Sequence, residues 1–410
     1  MSHSELRREL AAFLAGHEAE LIEFRRDLHM HPELGHGEVR TTAKIVDRLK
    51  SVGLEPRILS SGTGLWADIG DPSVPAVALR ADIDALALMD EKNVPYASRV
   101  PGLCHACGHD VHTTILLGAG IFLADRAARG LLPGRVRLLF QPAEEIVEGA
   151  LVAMRDGAIN DVERLFALHC DPRFEVGTVG LRRGPITGAC DKIEVRLSGP
   201  GGHTARPHLT ADLVYALGKI VTELPAALSR RVDPRSSLSL VWGKMSAGSA
   251  MNAIPEVGMA AGTVRCLDEE AWHQAPDLLK ALLNSVANAY GVVAELDYIR
   301  GVPPAVNDAG CVDILEEAVA EGVGPDAAAQ AQQSLGGEDV AWYFESIPGA
   351  LARLGTRGTE TPTDLDIHQA NFDIDEKAIG IGVKVMATAA LIALGDGALP
   401  DPVGAQGQAG

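Results

Sequence analysis

Three segments constrain this chain more than any others: AVALRADID (76–84), RVRLLF (135–140) and RLFALHC (164–170). Each reads as a short buried strand, and helical periodicity over 5–28, 38–52 and 112–128 precedes or separates them. Strands that alternate with helices predict an α/β fold, a mostly parallel sheet with helices on both faces.

The pattern changes after GPITGACD. KIEVRLSG is an amphipathic strand, 210–227 a helix, SSLSLVWG and GMAAGTVRCL strands, 269–289 a helix, and VVAELDYIRG a strand. That order, βαββαβ, is the ferredoxin-like α+β pattern. From VPPAVND onward the first style returns and ends in a long apolar helix near 374–394. At 410 residues the chain exceeds one ordinary core. Two domains are therefore expected: 1–188 with 302–398, and an inserted smaller domain, 189–301. The tail, 399–410, has little to bury and is expected to be disordered.

A net charge of −19 without any basic block argues against nucleic-acid binding, which needs a positive face. No apolar run approaches the roughly 20 residues that span a bilayer. The N-terminus is too charged for a signal-peptide core. A cytoplasmic protein without a membrane partner is the expectation. Six scattered cysteines without such a signal do not read as a disulfide framework.

GLCHACGHDVHTT (102–114) gathers two cysteines, three histidines and an aspartate. A thioredoxin-like pair would use Cys104 and Cys107 but leaves the histidines idle. A structural zinc knuckle would need a second CxxC, and the chain has none. In an extended segment Cys107 and His109 would point to one side and could grip one ion, with Gly108 letting the backbone approach. Two other segments favour a metal site. LLFQPAEE puts Glu144 and Glu145 just past a buried strand, and LFALHC puts His169 at the end of the next. In open parallel sheets, sites form beyond the carboxyl ends of strands. Thiolate, imidazole and carboxylate together suit zinc, or cobalt, nickel or manganese, and so many donors suit two ions. Asp110 and His112 either orient ligands or cap the following helix. Of Asp82 and Asp84, Asp82 is expected to hydrogen-bond a ligand imidazole, and His105 to satisfy a local backbone bond.

The chain resembles a known family through RRDLHMHPELGHGE, ALRADIDAL, CHACGHDVHTT, LLFQPAEE, GPGGHTARPH, NAIPE, GTVR, GGEDVAWYF and IHQANFDIDE, in that order. The family is the aminoacylase/carboxypeptidase group of dinuclear zinc metallopeptidases, in the branch with hippurate and indole-acetyl-amino-acid hydrolases. The resemblance runs from about Arg25 to Glu376. It implies two divalent ions, most often zinc, held by Cys107, His109, Glu145, His169 and His368, with Cys107 bridging. Glu144 would be the general base toward a metal-bridged water. The inserted domain would be a lid and dimerisation domain. In it His203 would support the oxyanion, and Asn252 and Arg265 would meet the substrate carboxylate. The implied reaction is hydrolysis of an N-acyl amino acid to a carboxylic acid and a free amino acid. Cleavage of small peptides is the alternative within the family, and a redox or zinc-storage role for Cys104 and Cys107 the alternative outside it.

The sequence departs from the family pattern in two places. Cys104 stands where relatives commonly have methionine, and Ile146, Val147 and Glu148 replace a glycine-rich run after the glutamate pair. The second change bears on the size of the acyl pocket.

Overall fold

A computed structural model describes residues 3–359 and 365–395; the tail expected to be disordered lies outside them. The chain divides into two compact units. The first gathers the described residues of Met1–Gly184, Asn307–Gln332 and Tyr343–Gly410, and the second Pro185–Val306 with Gln333–Trp342.

Eight strands form the sheet of the first unit. Their order is Arg57–Ile58, Leu65–Gly70, Arg135–Gln141, Ala76–Asp82, Val162–Glu175, Gly349–Arg357, Val179–Leu181 and Ala328–Gln330. The four central strands, Arg135–Gln141 through Gly349–Arg357, run parallel. Antiparallel pairings flank them on both sides. Every residue of Ala76–Asp82 and Arg135–Gln141 is buried, Arg80 included. Arg80 is tolerated because it is paired: its Nε donates to Gln141 Oε1 at 3.0 Å and its guanidinium to Asp82 Oδ2 at 2.7 Å. A buried cation thus fixes Asp82 at the carboxyl end of its strand.

RLFALHC predicts a strand that stops at Cys170, but the strand runs on to Glu175 through Pro172. Its pairing with Ala76–Asp82 ends at Ala167. Beyond that point the Cys170 amide donates to His112 Nε2 at 2.8 Å instead, and the ladder with Gly349–Arg357 is irregular between Asp171 and Glu175. A proline costs no ladder bond in such a place.

Helix His109–Ala128 is buried along almost its whole length and packs on helix Lys377–Gly395. A Cβ at Gly118 would lie 2.7 Å from Val383 Cγ2, and one at Gly382 would overlap Ile115 Cδ1. Glycine on each helix therefore lets the two backbones close up. By length and composition Lys377–Gly395 could cross a membrane. Its apolar window is 67% buried inside the protein, as befits a core helix.

The second unit is a four-stranded antiparallel sheet in the order Ser239–Ala247, Val257–Cys266, Ala189–Ser198, Val293–Val302. Helices Leu213–Leu228 and Glu269–Ala289 complete the βαββαβ succession. In chain order the sheet reads second, third, first, fourth, the ferredoxin-like arrangement. Burial alternates along Ala189–Ser198, and Ile193, Val195 and Leu197 face a core with Leu217, Ile220, Leu224, Leu279 and Leu283. The range 302–398 is expected to belong wholly to the larger domain, yet Gln333–Trp342 joins the smaller unit. Gly188 N donates to Gly336 O at 3.2 Å, and Trp342 meets Trp272 edge-on. The segment has no hydrophobic period, so nothing in it announces which core it serves.

Candidate metal centre

The centre is built in the first unit from the ends of several elements. The helix expected to start near residue 112 starts at His109, so Cys107 and His109 straddle a helix N-terminus rather than sharing an extended segment. Gly108 makes the join: its φ of 86° is left-handed, and a Cβ there would lie 2.7 Å from Cys170 Sγ. Glu144 and Glu145 follow strand Arg135–Gln141 in a turn that opens with Ala143 at φ 54°. His169 lies within Val162–Glu175. His368 comes from the far end of the chain, at φ 62°, and its amide donates to Ala106 O at 2.7 Å.

All five expected ligands and the expected base converge. Cys107 Sγ lies 3.4 Å from His169 Nε2. His109 Nε2 lies 3.8 Å from Glu145 Oε1 and 3.9 Å from Glu144 Oε2. His368 Nε2 lies 3.5 Å from Glu145 Oε1. The donor atoms fall into triads within 4.8 Å of one another: Cys107, His109 and His169, and Cys107, Glu145 and His368. Cys107 belongs to both triads.

The neighbours set which ring nitrogens are free. His169 Nδ1 donates to Cys170 O at 2.8 Å, and His109 Nδ1 to Asp84 Oδ1 at 3.2 Å. Each bond leaves Nε2 as the lone-pair face. Two buried atoms, His109 Nε2 and Glu145 Oε1, have no partner in hydrogen-bond geometry. Leaving such atoms idle costs about 1–3 kcal/mol each. A cation among the donors removes that cost, and a thiolate, imidazole and carboxylate set fits a borderline divalent ion.

The electrostatics of the donor residues follow from burial and from their neighbours. Burial pushes the Cys107 thiol up. Burial opposes charge on His109, yet Asp82 and Cys107 hold it well above the usual imidazole range. Cys107 and Glu145 raise His368 to about 10. Burial, with Arg353 and His112 nearby, pushes His169 well down.

Three expectations need correction. Asp82 does not hydrogen-bond a ligand imidazole; its Oδ1 accepts from His112 Nδ1 at 2.6 Å and lies 3.8 Å from His109 Nε2. Asp84 takes the assigned role, and its Oδ2 also accepts the Glu145 amide at 3.0 Å. Both aspartates lie at the end of one strand segment, and spacing alone does not choose between them. Asp110 neither orients a ligand nor caps the helix with its side chain. Its Oδ2 accepts from Arg25 Nε and His29 Nδ1, each at 2.7 Å, because the N-terminal helix brings both there. The buried His105 makes no local backbone bond through either ring nitrogen, and burial lowers it to about 3.

Within the second unit, His203 and Asn252 are brought together where Gly202–His203 pairs with Ala253–Ile254, and Thr204 N donates to Asn252 O at 3.3 Å. Both side chains are exposed. Arg265 lies on strand Val257–Cys266, and its guanidinium donates to Leu335 O.

Residues 78–392 match the peptidase family M20/M25/M40. The chain belongs to this family. Among M20 relatives, a Bacillus subtilis N-acetyl-L-cysteine deacetylase is 40% identical over 367 residues, 88% of this chain and 85% of that protein. A Rhodococcus jostii protein carrying a glutamate–cysteine ligase name is 48% identical over 370 residues, 90% of this chain. The chain spans only 46% of that relative's length. The crystal structure of a dinuclear metal-binding M20 peptidase from Bacillus subtilis has a TM-score of 0.82 and 35% identity, covering 93% of this chain and 99% of that one.

Proposed function

We propose that this M20-family chain is a metal-dependent amidohydrolase that cleaves N-acyl amino acids to a carboxylic acid and a free amino acid. The observation that carries this reading is the pair of donor triads sharing Cys107, with Glu144 beside them. Cys107, His109 and His169 would hold one ion, and Cys107, Glu145 and His368 the other. Zinc is the proposed metal, two ions per chain. When bound, the ions supply a Lewis acid for the amide carbonyl and lower the pKa of water.

The protein's own part is proton transfer and orientation. Glu144 is buried and faces His109 Nε2 at 3.9 Å. It takes the proton of the attacking water and passes it to the leaving nitrogen, the two-way role of a single carboxylate. His169 and His109 hold their donor faces through Nδ1 bonds to Cys170 O and Asp84, so their geometry is set before substrate arrives.

The second unit is assigned the role of lid. His203 would support the oxyanion, while Asn252 and Arg265 recognise the substrate carboxylate, an anion the net charge of −19 would otherwise repel. A cytoplasmic homodimer formed through this unit completes the proposal. The names of relatives that deacetylate N-acetylcysteine or hydrolyse indole-acetyl amino acids support the substrate class. A redox role finds less support, because Cys107 lies against His169 whereas Cys104 Sγ lies 3.7 Å from Lys92 Nζ.

The test is a panel of N-acetyl, N-benzoyl and long-chain N-acyl amino acids alongside dipeptides. Free amino acid is followed by mass spectrometry, with chelator and zinc add-back. Chelator-sensitive release from acyl amino acids supports the reading. Release from dipeptides alone replaces it with a peptidase.

A further inference from the structure

The turn that carries Glu144 and Glu145 is held in a conformation that its own residues disfavour. Ala143 (φ 54°) and Val147 (φ 58°) bracket the two glutamates in left-handed backbone. For a β-branched residue such as Val147 this is an outlier that the surroundings must enforce. Inside the turn, Val147 N donates to Glu144 O at 2.8 Å, and Glu148 N and Gly149 N both donate to Ala143 O at 3.2 Å.

The outside brace comes from Leu34–Glu38, more than a hundred positions earlier. Glu38 Oε1 accepts the Ala143 amide at 2.8 Å. A Cβ on Gly35 would lie 3.1 Å from Ala143 Cα and 3.3 Å from Ile146 Cδ1, so this loop lies flat on the turn. His36 Nε2 lies 3.1 Å from Glu148 Oε2. Glu38 is fully buried, and it stands at the N-cap of helix Val39–Ser51 without capping that helix through its side chain. This buried carboxylate also meets Thr63 and its own backbone, and it reaches the distant Ala143 amide rather than capping its helix.

We propose that Glu38 is a positioning residue for the reaction. Its carboxylate pins the left-handed amide of Ala143 and so sets the direction in which Glu144 and Glu145 leave the strand. The proposal rests on the roles assigned above to those two residues.

The test compares two substitutions of similar volume in the full-length zinc-loaded protein. Glu38→Gln keeps an acceptor oxygen; Glu38→Met fills the space without one. Displacing a reacting group by about 1 Å costs on the order of a hundredfold in rate. Glu38→Met should lower kcat about that much with KM within about threefold, and Glu38→Gln should restore most of it. Zinc per chain, measured after dialysis against a weak chelator, should fall in Glu38→Met and not in Glu38→Gln, since Glu145 shares the turn. Equal kcat and equal zinc in the two variants would overturn the proposal. So would a Gln variant as impaired as the Met variant. If Glu38→Met does not fold, Glu38→Ala replaces it in the same comparison. The zinc readout needs no turnover, so a wrong substrate class would leave it standing while removing the functional reading.

Discussion

Asp84 binds both His109 and Glu145: its Oδ1 accepts from His109 Nδ1 at 3.2 Å and its Oδ2 from the Glu145 amide at 3.0 Å. One carboxylate therefore orients a donor of each triad. Removing such a support typically costs 10–100-fold in metal affinity. Asp84→Ala should weaken zinc binding by about that factor, read by competition with a chromophoric chelator. Wild-type affinity in that variant would show that the ligands hold themselves in place.

Asp110 serves stability. It is buried against Arg25 and His29, and removing one partner of a buried pair costs about 3–5 kcal/mol. Asp110→Asn should lower the melting temperature by several degrees. The pH dependence follows from sign. Burial opposes the charge on Asp110, but Arg25 and His29 hold its carboxyl well below the ordinary range. A depressed folded pKa means that the ionised group stabilises the fold above the unfolded pKa of about 3.9. That contribution is lost as pH falls further. The melting difference between wild type and variant should be constant near neutrality and shrink below about pH 4. A difference that grows in acid would contradict this.

In the second unit Asp191 accepts from Trp272 Nε1 at 2.8 Å, Tyr298 Oη at 2.6 Å and Gly301 N at 2.8 Å. Asp191→Ala leaves three donors without their acceptor, at about 1–3 kcal/mol for each that stays buried. Denaturant unfolding followed by tryptophan fluorescence should show a loss of about 3 kcal/mol or more. A change under 1 kcal/mol would mean that water takes over the acceptor role.

Cys104 and Cys107 should behave oppositely. Cys107 is in both donor triads, whereas Cys104 groups with His29 and Asp90. Cys107→Ala should lose most bound metal and turnover. Cys104→Ala should keep both within about twofold, the small effect of a modest core truncation. Loss of metal in the second variant would revive a liganding role for Cys104.

Much of this was legible in the sequence because burial leaves a period. The alternation along Ala189–Ser198 and the apolar-rich central strands, buried on both faces, follow from which faces meet a core. The five candidate ligands were legible through motif resemblance, and their convergence needed the fold. What escaped lacks a period. The polar first turn His109–His112 hides a helix start that depends on the left-handed Gly108. The aperiodic Gln333–Trp342 gives no sign of which core it joins. The choice of Asp84 over Asp82 turns on a buried Arg80 that occupies Asp82 from within its own strand.

In the proposed mechanism Glu144 moves the proton, while Cys107, Glu145 and the histidines would hold the ions. Glu144→Gln keeps the shape and removes the base. Elemental analysis should find the same zinc content in the variant and the wild type, two ions per chain being expected of both, with kcat on the best panel substrate reduced at least about a thousandfold. That fall is of the size expected for a lost general base. Turnover within tenfold of wild type, with both ions bound, would contradict it.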